Sequence, residues 1–199
     1  MSYASLAEFK AAIGISDSSD DTALQSVLDA TDALIDLYTD RKQGFGTATE
    51  TRYYTAEDYR YVLVDDLVSI TTLTTDDDAN GTYETTWTSG TDYNLAPGNA
   101  ALDGWPYNEI DVSVNWPRNF PRDVYRGVKV AGVFGWPSVP SAVKQAAIIQ
   151  AGAVWSSRTS PFGVIGSQDL GGIIRQTRAL HPEAQVLLEA YRKREGLSR

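Results

Sequence analysis

GFGTATETRYYTAEDYRYVLVDDLVSITTLTT, residues 44–75, is where the chain stops reading as helix and starts reading as sheet. Gly44 and Gly46 break the helical pattern, and a Thr-rich run follows them. Arg52-Tyr53-Tyr54, Tyr61–Val64 and Leu67–Thr75 are then rich in β-branched and aromatic residues, the signature of strands. Moving outward toward the C-terminus, Thr82–Trp87 continues the pattern, with Asn80-Gly81 as a hairpin turn signal before it. Asp92–Leu95, Ile110–Asn115 and Val128–Phe134 read as further strands. Ala96–Tyr107, with Pro97, Gly98, Gly104 and Pro106, reads as a long loop, and Pro117 and Pro121 punctuate another.

Helical periodicity holds on both sides of this region. Ser5-Leu6-Ala7-Glu8 forms a capping box, Leu6, Phe9 and Ile13 share a face, and Gly14 supplies a left-handed stop. Ser16–Ser19 offers caps for a longer helix whose apolar stripe is Leu24, Val27, Leu28, Thr31, Leu34, Ile35 and Tyr38. Asp29, Asp32, Asp36 and Asp40 are expected on its opposite, solvated side. After Pro137, Ser138 and Pro140 open Val143–Arg158, apolar enough to be buried on most sides. Ser160–Gly172 is Gly-rich, Ile173–Arg175 is extended, and Pro182 opens a last helix ending near Gly196. The fold expected is α+β: a four-helix core, two helices N-terminal and two C-terminal, with a small antiparallel β unit between helices two and three. In residue numbers this is a helix pair over 1–43, a β insertion over 44–137, and C-terminal helices over 138–199. The last segment, with its Gly-rich loop 160–172, completes the helical core with 1–43.

The 199 residues carry 17 Lys+Arg and 26 Asp+Glu, a net charge of −9, with 42% hydrophobic residues. This is globular composition. The absence of cysteine removes disulfides, thiolate metal sites and cysteine nucleophiles, and the single His181 removes any multi-histidine metal site. The longest apolar run, near Ala146–Val154, is too short to cross a bilayer. Met1-Ser2-Tyr3 leads straight into a helical pattern without a secretory signal, so a soluble protein is expected, used where it is made or packaged from there. Residues 1–110 carry a net −15 and residues 111–199 a net +6. Two accounts fit: the halves neutralise one another within one fold, or opposite faces serve head-to-tail contact between copies.

No residue set carries a catalytic signature. Asp76–Gly81 matches the first six positions of a calcium loop, but position twelve is Trp87 where a bidentate Glu is needed, so an acidic hairpin tip is expected. His181 stands at a helix start as a cap, with no Gly-x-Ser-x-Gly elbow to serve. Gly163, Gly166, Gly171 and Gly172 lack the Gly-Lys-Ser/Thr ending of a phosphate loop and read as a mobile connection. Trp87, Trp105, Trp116 and Trp136 leave open a sugar- or receptor-binding module with exposed Trp side chains, beside packing of a small β unit. No metal, cofactor or enzymatic activity is expected.

Phe134–Pro140, then Val143-Lys144-Gln145-Ala146, Trp155 and Arg158, resemble the third-helix signature of tailed-phage head-to-tail connector proteins, the adaptors that dock beneath the portal. Ser160–Val164, Gly171–Arg175 and the opening helices are similar to the same family. The resemblance implies a structural virion protein: a homo-oligomeric, twelve-fold ring under the portal protein, extending the DNA channel and docking a stopper or tail-completion protein. It places the protein at the head-tail junction of the virion, made in the host cytoplasm, with no membrane and no sequence-specific DNA contact. Ser160–Arg199 is expected to carry docking, because a Gly-rich stretch buries too little to offset about 1–2 kcal/mol of backbone entropy per residue without a partner. Arg175, Arg178, Arg192, Lys193 and Arg194, with Phe162, are the expected contacts, set against Asp32, Asp36 and Asp40 of the acidic second helix.

Overall fold

The computed structural model describes residues 2–41, 43–114, 118–158, 164–166, 173–175 and 180–193. Two compact units emerge, one built from Met1–Gly44 with Val139–Lys193, the other from Phe45–Ser138. No helix among the described residues is long and apolar enough to cross a membrane.

The helical unit starts with α1 (Leu6–Ile13). Its capping box is complete: the Glu8 amide donates to the Ser5 hydroxyl at 3.2 Å and the Ser5 amide to the Glu8 carboxylate at 2.8 Å. Gly14 closes the helix at φ 72°. α2 (Asp21–Thr39) begins after Asp20, which makes no side-chain cap. The expected caps at Ser16–Ser19 are spent otherwise, since Asp17 accepts from the Ser19 amide in a local turn. Ala4, Phe9, Leu24, Leu28 and Ala151 form one packed cluster in this unit, with Ile13 and Trp155 packed against it. α4 (Ser141–Ser157) buries one stripe, Val143, Ala146, Ala147, Gln150 and Ala151. Val154, one turn beyond Gln150 on this stripe, is 40% exposed, so burial fades toward the C-terminal end of the helix. α5 (Pro182–Leu188) buries Ala184 and Leu188 and passes into a 3-10 turn at Glu189–Tyr191. Arg192 is already extended, so the last helix stops short of Gly196. Glu8–Lys144 at 2.8 Å and Asp20–Arg158 at 3.7 Å join acidic and basic halves of the sequence inside this unit. In this respect the charge asymmetry is partly internal neutralisation.

The sheet unit corrects the expected fold. It is a six-stranded antiparallel sheet, not a small insertion on a four-helix core. Its strands are β1 (Thr47–Tyr54), β2 (Tyr61–Thr75), β3 (Thr85–Trp87), β4 (Tyr93–Ala96), β5 (Tyr107–Val112) and β6 (Val128–Gly135), in the order β1-β6-β2-β5-β4 with β3 on β2. A short helix α3 (Ala100–Asp103) lies in the expected long loop. The two strand-like runs Tyr61–Val64 and Leu67–Thr75 are one strand of 15 residues, which is why the sheet is larger than its pieces suggest. Tyr54 registers with Val128, and Val128 with Thr75 at the end of β2. Seven residues after Tyr54 the chain is already at Tyr61, the start of β2. Those residues reach at most about 25 Å, and two strand spacings add about 10 Å, against about 46 Å for a straight strand of this length. β2 must bend, and its register shifts between Leu63 and Leu67 and again beyond Leu67 mark where. The bend wraps the sheet around its own core of Val62, Val64, Leu67, Leu73, Ile110, Val130 and Phe134, closed by Trp87 stacked on Phe120 at 4.5 Å. Apart from the six-stranded sheet, β7 (Val164–Gly166) pairs antiparallel with β8 (Ile173–Arg175) as a two-stranded sheet.

Candidate functional site

Buried polar groups concentrate at the end of α2. Tyr3 is 3% exposed; its amide donates to Asp32 Oδ2 at 3.3 Å and its hydroxyl donates to Asp36. Asp32 is only 6% exposed, and its Oδ1 has no hydrogen-bond partner among the described residues. Burial pushes the Asp32 carboxyl up to about 6, with the Tyr3 amide and Ser2 hydroxyl pulling the other way. Burial also raises Asp36. Gly44, at φ 63°, lies against this pair: a Cβ there would strike the Tyr3 hydroxyl. Arg41 is buried, donates from Nε to the Tyr191 carbonyl at 3.0 Å, and is lowered by burial to about 10, so it stays charged. The Lys193 amide donates to the Thr39 carbonyl at 2.9 Å and the Tyr38 hydroxyl to Glu189 at 2.9 Å. The N-terminal residues, the end of α2 and segment 189–193 are thus tied together. The arrangement holds segments in place and presents no nucleophile–base pair.

These contacts correct the reading of α2 as carrying its four aspartates on a solvated side. Asp29 and Asp40 are exposed, Asp36 is half-buried and Asp32 is buried. Position 32 lies one turn beyond Leu28 and so borders the buried stripe Leu28, Thr31 and Ile35. The exposed Arg192 lies over the Tyr38 ring at 5.3 Å and within 3.4 Å of Glu189, and Lys193 is half-buried. Arg178, Arg194 and Phe162 lie outside the described residues, and Arg175 is described only as the backbone of β8.

A second gathering, which the sequence reading did not single out, sits in the sheet unit at the entry to β6. Tyr53 on β1 registers with Lys129 on β6. The Arg126 guanidinium lies 4.2 Å from the Tyr53 ring centre and Lys129 Nζ 5.4 Å from that of Tyr83. The Tyr83 hydroxyl donates to the Arg126 carbonyl at 2.8 Å, and the Tyr53 and Tyr83 rings are 5.7 Å apart. Tyr125 beside them is 83% exposed. Only the spacing of Arg118, Arg122, Arg126 and Lys129 hinted at this cluster, since its tyrosines come from distant parts of the chain, Tyr53 on β1 and Tyr83 just before β3.

The acidic tip closes on itself. Asp76 Oδ1 accepts from the Asn80 amide at 3.1 Å and Oδ2 from the Gly81 amide at 2.8 Å. Asp76, Asp78 and Glu84 can bring three oxygens within 4.8 Å of one another, the one such acidic group among the described residues. Trp87, at the twelfth position, is core: its Nε1 donates to Thr75 Oγ1 at 3.0 Å. The His181 side chain makes no cap bond; its backbone amide donates to Gln150 Oε1 at 2.6 Å. The flat Trp face that sugar stacking needs is not formed by Trp87 and Trp136, both buried; Trp105, packed 4.9 Å from Trp136, is 39% exposed, and Trp116 lies outside the described residues. Trp136 is held by Phe45 at 5.1 Å and by a hydrogen bond to Asp66 at 3.2 Å.

Residues 3–89 match the family of phage gp6-like head-tail connector proteins, which bears out the resemblance read from the sequence. The match covers the opening helices and the first strands, whereas most of the residues that carried the resemblance lie at 134–175. The family is one of structural connectors. No curated protein matches the chain. Among solved structures the fold is similar to a chain in the neck of an empty gene transfer agent particle computed with C6 symmetry, at TM-score 0.54 and 19% identity, covering 98% of this chain and 91% of that one. A chain in the virion of a native gene transfer agent particle is similar at TM-score 0.51 and 20% identity, with the same coverage.

Proposed function

We propose, starting from the match of residues 3–89 to head-tail connector proteins, that this protein is a structural component of the virion neck, an adaptor that docks under the portal. In this reading it forms a ring of identical copies, twelve in the virion, that extends the DNA channel and receives a stopper or tail-completion protein. DNA passes through without sequence-specific contact, no cofactor takes part, and no reaction is catalysed. The match over residues 3–89 is the observation that carries the reading. Two features of the chain support it. Opposite-sign halves suit heterologous contact in a closed ring, and the functional groups found hold or dock segments rather than react.

Docking is assigned to the C-terminal region, through Arg175, Arg178, Arg192, Lys193 and Arg194 with Phe162. On the acidic side Asp40 is exposed to meet them, while Asp32 and Asp36 face inward on Tyr3. The test mixes the protein with DNA-filled, portal-bearing heads lacking it, and reads tail joining and negative-stain images of the neck. Joined, infectious particles with a ring beneath the portal are expected. Heads that neither bind the protein nor gain tails would overturn the adaptor role. Arg175→Glu with Arg178→Glu is expected to abolish joining without unfolding the protein; unimpaired joining would move docking to the sheet unit.

A further inference from the structure

The entry to β6 presents two cations, Arg126 and Lys129, each held against an aromatic ring. Among the described residues no carboxylate pairs with Arg126 or Lys129, although Arg118 and Arg122 nearby have Asp92 and Asp123. Both free cations rest on tyrosine rings, Arg126 on Tyr53 and Lys129 on Tyr83. Stacking of this kind fixes a long side chain in advance, so less of its freedom is lost when it meets an anion. Exposed Tyr and Arg in one patch is also the composition of interface hot spots.

The same unit carries the opposite arrangement. Glu109 and Asp111 are two residues apart on β5 and so share one face of the sheet. No cation pairs with either among the described residues, and burial together with the neighbouring Asp111 carboxyl raises Glu109. Two carboxylates held side by side with no counter-charge are relieved by a cation brought from outside. One chain therefore displays a prearranged pair of cations and a prearranged pair of anions, and its fold does not bring them together.

We propose that these two sets meet between copies: the Arg126–Lys129 patch of one sheet unit docks on the Glu109–Asp111 face of a second copy of this chain. Different surfaces of identical subunits then touch head to tail, the type of contact that closes into a ring when the rotation fits. The inference rests on the ring reading above and specifies one of its interfaces. The occupant is a second copy because it offers a carboxylate pair on the same scale as the cation pair, on a subunit that ring formation brings alongside.

The chain has no cysteine, so introduced thiols report without background. Tyr125→Cys marks the basic patch, and Asn94→Cys marks the acidic face, because Asn94 registers with Asp111 and is exposed. With both thiols in one chain, a short bis-maleimide at high protein concentration is expected to give a covalent ladder of dimers and larger species. Arg126→Glu with Lys129→Glu, or Glu109→Lys with Asp111→Lys, should each reduce the ladder by about tenfold or more. All four reversals in one chain restore complementarity and should restore the ladder, which a merely unfolded variant cannot do. A missing ladder with native charges, a ladder indifferent to either reversal, or no rescue by the fourfold variant overturns the interface. Tail joining by the native-charge protein without a ladder would overturn this interface and leave the adaptor role standing; a charge-dependent ladder without tail joining would do the reverse.

Discussion

The helical and sheet units both bury polar groups beside an apolar cluster, but their most constrained points differ. The apolar cluster of the sheet unit is accompanied by buried Thr75, Asp76 and Asp92, and its tightest points are backbone against backbone, as where Gly135 meets Gly46. The helical unit has an apolar core around Phe9 and Leu28 but also buries Thr31, Asp32, Thr39, Arg41 and Gln150. Shape sets the limit of the sheet unit at Gly135, and a buried carboxyl shifted upward, Asp32, makes the helical unit sensitive to pH. Shape leaves no room for a substituent, whereas charge makes stability depend on pH.

The largest expected effect falls on the sheet. Gly135 has φ 112°, and a Cβ there would run into the Gly46 carbonyl and lie 3.1 Å from the Thr47 Cα. Gly135→Ala combines a strained backbone with a backbone clash at the β1–β6 pairing. A loss of about 3 kcal/mol or more is expected, read by denaturant unfolding. A loss below about 1 kcal/mol would show that the sheet unit yields more easily than its packing implies.

The next effect tests the charge of the helical unit. Asp32 takes up a proton more readily folded than unfolded, its value rising from 3.8 to about 6. Its contribution is therefore fully present below about pH 4 and lost as pH rises through about 6. Asp32→Asn keeps an acceptor for the Tyr3 amide and removes the buried charge. The variant should gain about 1–3 kcal/mol over the native chain at pH 8 and little at pH 4. A gain that does not change with pH would assign the effect to packing instead.

A smaller change is expected at the start of α1. Ser5→Ala removes the acceptor of the Glu8 amide and should cost about 1 kcal/mol. Melting temperature measures it, and an unchanged value would mean that tertiary contacts alone hold α1. The smallest effect belongs to the acidic tip of the sheet unit. Asp76 already satisfies two backbone amides, and Trp87 occupies the closing position, so about 1 mM calcium should leave the melting temperature within about 1 °C. A rise of several degrees would show that Asp76, Asp78 and Glu84 hold the ion.

Local chemistry was legible in the residues themselves. The Ser5–Glu8 capping box, the Gly14 stop, the positions of α1, α2 and α4, the strand character from residue 44 onward and the closed acidic tip each depend on neighbours within a few positions, so a linear reading suffices. The resemblance to head-tail connectors was also visible in the chain. The size of the sheet was not, because joining Tyr61–Val64 to Leu67–Thr75 requires a bulge whose cause is the bend that lets β2 wrap its own core. Asp32 was read as solvated because a helical wheel shows only that it borders the buried stripe; the Tyr3 backbone that covers it comes from 29 residues away. The Tyr53–Arg126 and Tyr83–Lys129 contacts likewise join segments far apart in the chain, and no periodicity encodes such pairs. By itself the sequence determined what its short-range interactions could decide: caps, stops, strand and helix character, and the chemistries its composition forbids. Register, burial of charge and the meeting of cations with aromatic rings were decided by tertiary structure, because each depends on the free energy of contacts between segments far apart in the chain.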